Sequence, residues 1–259
     1  MDDFNNVDAI AAERGLRVDI LGSGPPLLLL HGGGGPVTLR AFAQRMADDF
    51  TVMFPTHPGF DGTPRPQDIA NVRDLARIYA AVLADGKIKN LVVVGFSMGG
   101  WLAAELAASY PDQVASLILV DAVGIATAGQ EVRNLNGMPP AEIADYSYHT
   151  PEKFRIDTSC MSPEALAAMK ANFATLAVYA EHHYMQDPDL SGRLANIRAA
   201  TLVLWGESDR VVTPDYGRAY AASIPGAAFE IIPECGHLPQ LEQPARLQDA
   251  VLRFARDAG

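Results

Sequence analysis

Gly95-Phe96-Ser97-Met98-Gly99 follows directly on the apolar run Leu91-Val92-Val93-Val94. A serine one residue past a buried strand, with glycine on either side, forms the G-x-S-x-G nucleophile elbow, whose hydroxyl stands clear of the sheet on a sharp strand-to-helix turn. The glycines have a steric reason, because such a turn brings strand and helix backbones too close for a Cβ. The five-residue pattern arises often by chance. Here the strand before it and the alanine-rich helix after it supply the context it needs.

A serine hydroxyl is a weak nucleophile at neutral pH and needs a base within hydrogen-bond reach and an acid to orient that base. Asp209, in Trp205-Gly206-Glu207-Ser208-Asp209-Arg210, and His237, in Cys235-Gly236-His237-Leu238-Pro239, each follow a β-like run. All three residues thus fall in loops at the carboxyl ends of strands, where open parallel sheets build ligand sites. Taken singly, a histidine after a strand is ordinarily a turn residue, and Asp209 could merely shape its turn. Glu207 and Asp121 are rival acids. Asp209 is preferred because Arg210-Val211-Val212-Thr213-Pro214 fits the expected turn into a helix.

Acyl transfer also needs donors for the negative oxygen of a tetrahedral intermediate. Met98 can offer its backbone N–H from a helix amino end, where the dipole favours an anion. The second donor is expected from His31-Gly32-Gly33-Gly34-Gly35, with Gly33 the choice and Gly34 its close rival. No Gly-x-x-x-x-Gly-Lys-Ser/Thr or Gly-x-Gly-x-x-Gly pattern leads into a helix there, which excludes a phosphate loop of the usual form. Gly34, Phe154, Phe173 and Leu238 are the expected pocket lining. Cys235 reads as a small buried hydrophobe rather than a reactive thiol. Trp101 reads as core. His182 and His183, adjacent on an expected helix, point in different directions and make a poor metal pair.

The elements that must position these groups alternate between β-like and helical runs, which implies a mainly parallel sheet wrapped by helices on both faces. Strands are expected at Arg17–Leu21, Leu27–Leu30, Thr51–Phe54, Leu91–Val94, Ser116–Val120, Thr201–Trp205 and Phe229–Ile232. Val7–Ala12 is expected to form a hairpin with the first of these. Helices are expected at Thr38–Ala47, Ile69–Ala84, Gly99–Ser109, Pro214–Ser223 and Pro244–Asp257. Val72, Leu75, Ile78, Tyr79 and Leu83 share one helical face. From Gly124 to Asn196 strand-like runs give way to helical sequence, with Leu166, Met169, Phe173, Leu176 and Ala180 as an amphipathic stripe. The α/β rhythm then resumes. Residues 1–123 and 197–259 are therefore expected to form one core, and 124–196 a helical insertion.

At 259 residues, 49% of them hydrophobic, the chain can bury a full core. Its 31 acidic against 20 basic side chains give a net charge of -11, which repels nucleic acid and anionic membranes. Two cysteines are too few for a disulfide scaffold. Met1–Asn6 is acidic and lacks an apolar segment, so no secretory signal, no membrane span and a cytoplasmic location are expected. Oligomeric state stays open, a homodimer included.

His31-Gly32-Gly33, Pro58-Gly59-Phe60-Asp61-Gly62-Thr63, Gly95 to Gly100, Gly206 to Asp209 and Gly236-His237 together resemble the motifs of the α/β-hydrolase superfamily. The resemblance spans nearly the whole chain. It implies an α/β-hydrolase fold, a doubly wound, mostly parallel sheet with a helical cap inserted at 124–196. It also implies a Ser97–Asp209–His237 triad, a structural rather than catalytic His31, a small-molecule substrate, and no cofactor or metal. Serine at the elbow speaks against dehalogenase and epoxide hydrolase chemistry, for which resembling enzymes use aspartate. The function expected first is cleavage of a small to medium apolar ester through an acyl-enzyme. The alternative is carbon–carbon bond hydrolysis of dienoic diketones, with Arg133, Arg155 and His183 as candidate groups for an acid terminus. Against it, resembling carbon–carbon hydrolases usually carry asparagine where this chain has Phe96. A reading of another class is a ligand receptor or regulatory scaffold without turnover on the same fold.

Overall fold

Leucine and valine runs that are apolar at every position suit strands covered on both faces. In the computed structural model, which describes residues 6–180 and 183–257, these runs form β2 (Pro26–Leu30), β3 (Thr51–Thr56), β4 (Leu91–Phe96), β5 (Val114–Val120) and β8 (Ala200–Gly206). With β1 (Arg17–Leu21) and β9 (Ala228–Ile232) they make a seven-stranded sheet of order β1-β3-β2-β4-β5-β8-β9. All neighbouring pairs are parallel except β1 with β3. Successive side chains alternate between two cores. Leu28, Leu30, Val93, Leu117, Leu119, Val203 and Trp205 pack with α1 (Val7–Glu13), α3 (Val72–Asp85), α4 (Met98–Ser109) and α9 (Pro214–Ala222). Leu27, Leu29, Val94, Phe96, Ile118, Val120 and Leu204 pack with α2 (Arg40–Met46) and α11 (Pro244–Asp257).

Two expectations are corrected at the amino-terminal side. Val7–Ala12 is helical, not a hairpin arm: Val7 and Ala11, one helical turn apart, are the residues of α1 that bury. The partner of β1 is instead β3, antiparallel from Arg17 opposite Thr56 to Leu21 opposite Val52. Helix α3 begins at Val72 rather than near Ile69, because Asn71 caps it by accepting from the Asp74 N–H at 2.9 Å. Its expected stripe is buried throughout.

Between β5 and β8 lie α5 (Pro140–Ser147), α6 (Pro151–Phe154), α7 (Pro163–Tyr179) and α8 (Leu190–Leu194). Strand structure does not vanish here as expected. β6 (Gly124–Ile125) and β7 (Gln186–Asp187) pair in parallel as a separate ribbon. The ends of this segment are anchored, with Ile125, Leu190 and Leu194 inside the main core. Arg193 on α8 also bonds the buried Glu105 of α4 at 2.6 Å, and Arg193 is paired with Asp187 as well.

The docking face of α7 differs from the expected stripe. Ala180 is buried, Leu166, Met169 and Leu176 are half-buried, and Phe173 is 37% exposed. The face that meets the core carries Asn172, Thr175, Leu176 and Tyr179. Asn172 accepts from the Asp61 N–H at 2.8 Å, Thr175 donates to Gly59 O at 2.8 Å, and Tyr179 donates to Pro58 O at 3.0 Å. The helix rests on loop backbone, whose polar groups need partners, so its buried face is partly polar. No described helix is long and apolar enough to cross a membrane.

Candidate active site

At the β4–α4 turn Ser97 adopts φ 50° and ψ -115°, a conformation that costs a non-glycine residue about 1–3 kcal/mol. Its own backbone is held from both sides. The N–H donates to Val120 O at 3.0 Å, and the carbonyl accepts from Gly100 and Trp101 at 2.9 and 3.1 Å. The flanking glycines are sterically required: a Cβ on Gly95 would lie 2.2 Å from Gly99 O, and one on Gly99 2.3 Å from Leu30 O.

The three expected groups meet. His237 Nε2 lies 3.0 Å from Ser97 Oγ, and His237 Nδ1 lies 2.7 Å from Asp209 Oδ2. An ionised carboxylate can only accept, so Nδ1 carries the hydrogen and Nε2 is left to accept from the serine hydroxyl. Asp209 is buried, and its other oxygen accepts the N–H groups of Val211 and Val212 at 2.8 and 3.0 Å. Of the rival acids, Glu207 turns outward to accept the Glu234 N–H. Asp121, at the end of β5, lies within the cluster. One ligating atom each of Asp121, Asp209 and His237 falls within a 4.8 Å span. Asp121 Oδ1 accepts the Gly206 N–H at 2.8 Å, while burial first and the Asp209 charge second push its carboxyl well above the usual range.

The glycine loop lies against the elbow, since a Cβ on Gly32 would come within 3.1 Å of Ser97 Cβ. Among the described residues neither the Gly33 nor the Met98 N–H donates to another protein group. Leu176 of α7 covers Gly33, whose imagined Cβ would lie 2.5 Å from the leucine Cδ2. Asn172 donates to Gly34 O at 3.4 Å. His31 Nε2 accepts the His57 N–H at 3.1 Å, so its Nδ1 donates to Gly32 O at 2.8 Å and fixes the loop. His57, which the sequence reading passed over, donates to His31 O at 3.1 Å and accepts from Tyr79 at 2.7 Å. Burial lowers the His31 pKa to about 4 and that of His57 well below its ordinary value.

A second feature missed from sequence is a strap, residues 146–150, laid across the acid and base loops. The His237 N–H donates to Ser147 O at 2.7 Å, and the Arg210 N–H donates to Tyr146 O at 3.2 Å. On α10 (Pro239–Glu242), Glu242 accepts from Gly236 at 2.6 Å, His149 at 2.9 Å and Thr150 at 3.2 Å. These partners are far apart in the chain, and no periodicity announces them.

The expected pocket residues scatter. Phe154 stacks on Tyr148 at 5.0 Å, Leu238 is half-buried beside His237, and Phe173 faces outward. Arg155 is paired with Asp145. Arg133 lies over the Tyr146 ring at 4.1 Å and donates to Arg210 O. His183 is exposed, and His182 lies outside the described residues. Phe96 points into the α2–α11 core against Phe42. Cys235 and Trp101 are buried, and burial raises the Cys235 thiol far from thiolate chemistry. Two carboxylates and an imidazole can bind a cation in principle. Here a cation between Asp209 and His237 would have to break their 2.7 Å contact.

Residues 27–250 match the alpha/beta hydrolase family. The 2-hydroxy-6-oxononadienedioate/2-hydroxy-6-oxononatrienedioate hydrolase of Burkholderia vietnamiensis is 32% identical over 254 residues, covering 89% of this chain and 86% of that protein. A thermophilic esterase from Thermogutta terrifontis superposes with a TM-score of 0.74 at 27% identity, covering 94% of this chain and 93% of the other. The meta-cleavage product hydrolase from Pseudomonas fluorescens shares the fold, with a TM-score of 0.77 at 21% identity and coverage of 94% and 95%. With strand order, elbow and family match in agreement, this chain belongs to the α/β-hydrolase family and is a hydrolase of that family.

Proposed function

We propose that the protein is a serine hydrolase cleaving a small to medium apolar ester, with Ser97 as nucleophile, His237 as general base and acid, and Asp209 as the acid that orients His237. The reading is carried by the unbroken chain Ser97 Oγ–His237 Nε2 at 3.0 Å and His237 Nδ1–Asp209 Oδ2 at 2.7 Å. Ser97 attacks the acyl carbon as its proton passes to His237 Nε2, and Asp209 stabilises the imidazolium. The Gly33 and Met98 N–H groups hold the oxyanion, each worth about 3–4 kcal/mol of transition-state stabilisation. His237 then protonates the departing alcohol, and a water repeats the sequence on the acyl-enzyme. Residues 124–196 act as a cap that excludes bulk water from the acyl group. The commitment of Arg133 and Arg155 to protein partners favours an uncharged substrate.

A second reading, carbon–carbon bond hydrolysis, is favoured by the name of the Burkholderia relative. A panel of p-nitrophenyl esters of graded acyl length, run beside one coloured dienoate, separates the two. Ester turnover exceeding dienoate decay supports the first reading, and the reverse order rejects it in favour of the second.

A further inference from the structure

We infer that Asp121 is a positioning residue which holds a proton at neutral pH and donates it, through Oδ2, to the Asp209 carboxylate. The inference rests on the Ser97–His237–Asp209 reading and adds a fourth member behind it.

Asp121 is fully buried, and its two oxygens are treated unequally. Oδ1 accepts the Gly206 N–H at 2.8 Å, whereas the buried Oδ2 has no protein partner if it is regarded only as an acceptor. A hydrogen on Oδ2 gives that atom a role, because the Asp209 carboxyl lies within the same 4.8 Å cluster. Two carboxyls so close and so dry cannot both ionise, and the better-solvated one keeps the charge. Asp209 has the Val211 and Val212 N–H groups and the His237 ring as donors, while Asp121 has Gly206 alone. The charge therefore belongs to Asp209.

The other titratable groups facing Asp121 agree. Glu242 on α10 adds negative potential, and the Cys235 thiol beyond β9 stays neutral in its burial. His237 bonds Asp209 through Nδ1 at 2.7 Å, and one of its ring nitrogens lies within 4.8 Å of an Asp121 oxygen. The Asp121 backbone is fixed independently, at φ 46° with its N–H on Leu204 O at 3.0 Å, so the side chain is held in this site.

The test uses Asp121→Asn and Asp121→Ala in the full-length protein. Asparagine keeps both bonds, its Oδ1 accepting from Gly206 and its Nδ2 donating to Asp209. The infrared difference between wild type and Asp121→Asn at pH 8 should show one protonated-carboxyl C=O band, present only in wild type. Asp121→Ala should lower kcat on an ester tenfold or more at unchanged KM. Asparagine should rescue most of that loss, with the acid limb of the kcat/KM profile in place. No lost band, an acid limb displaced by a pH unit in Asp121→Asn, or wild-type kcat in Asp121→Ala would each overturn the inference. The infrared readout needs neither turnover nor the alanine variant. Failure of the triad reading is seen separately, as ester turnover that survives Ser97→Ala.

Discussion

Replacing Glu242 by alanine removes an acceptor shared by the base loop and the strap. Its carboxylate takes the N–H groups of Gly236, His149 and Thr150. Gly236 is buried, and leaving its N–H unpaired costs about 1–3 kcal/mol. The His149 and Thr150 amides can turn to water, so each contributes only about 0.5–1 kcal/mol. The expected destabilisation is therefore about 2–5 kcal/mol, readable as a lower urea midpoint at unchanged m-value. Activity should suffer beyond stability. Gly236 immediately precedes His237, whose N–H is itself held by Ser147 O at 2.7 Å. Loosening that strap should lower kcat on a p-nitrophenyl ester about tenfold or more with little change in KM, since a misplaced base weakens the transition state selectively. Glutamine, with one oxygen acceptor and an amide that opposes the N–H groups, should fall between. A Glu242→Ala variant within about 0.5 kcal/mol of wild type, with kcat unchanged, would refute the reasoning.

Asp209→Asn should keep the fold but favour the wrong imidazole tautomer, lowering kcat by about 10⁴-fold; steady-state kinetics showing a loss under tenfold would contradict this. Arg193→Ala should cost about 3–5 kcal/mol, because it removes the ion pair on Oε2 of the buried Glu105 carboxylate and leaves it the Ser109 hydroxyl at 2.9 Å and Arg73 at 3.6 Å, both on Oε1; urea melts check it, and a change below about 1 kcal/mol would count against it. Acid should destabilise the protein through His31 and His57. Their folded pKa values are lowered, so the unfolded chain takes up protons first as pH falls from 6.5 towards about 4. Each histidine contributes about 1.4 kcal/mol of lost stability per pH unit, and Asp121, raised instead of lowered, opposes with one proton. Two lowered groups against one raised leave a net loss of stability between pH 6 and 5, and equal urea stabilities at those two values would refute it.

Where burial alone decides, the sequence was readable. Strands β2, β4, β5 and β8 are apolar at nearly every position because both faces are covered, and the loops at their carboxyl ends place Ser97, Asp209 and, beyond β9, His237. The segment Val7–Ala12 is short, and its small apolar residues satisfy either period; only packing shows that Val7 and Ala11 lie on one helical face. The docking face of α7 was illegible for a different reason. Asn172, Thr175 and Tyr179 serve loop backbone, so apolar periodicity points to Phe173 on the wrong side. His57 and Glu242 act through partners remote in the chain, and Asp121 was visible only as a competitor for the acid's place. Its position behind Asp209 needed coordinates.

The account stands on Ser97 being a nucleophile activated by His237. Mass mapping of the adduct left by a fluorophosphonate tests it most directly. The account predicts a single adduct on the peptide holding Ser97 in wild type, and a greatly slowed reaction in His237→Ala. An adduct elsewhere, or a Ser97 that reacts equally fast without the imidazole, would contradict it.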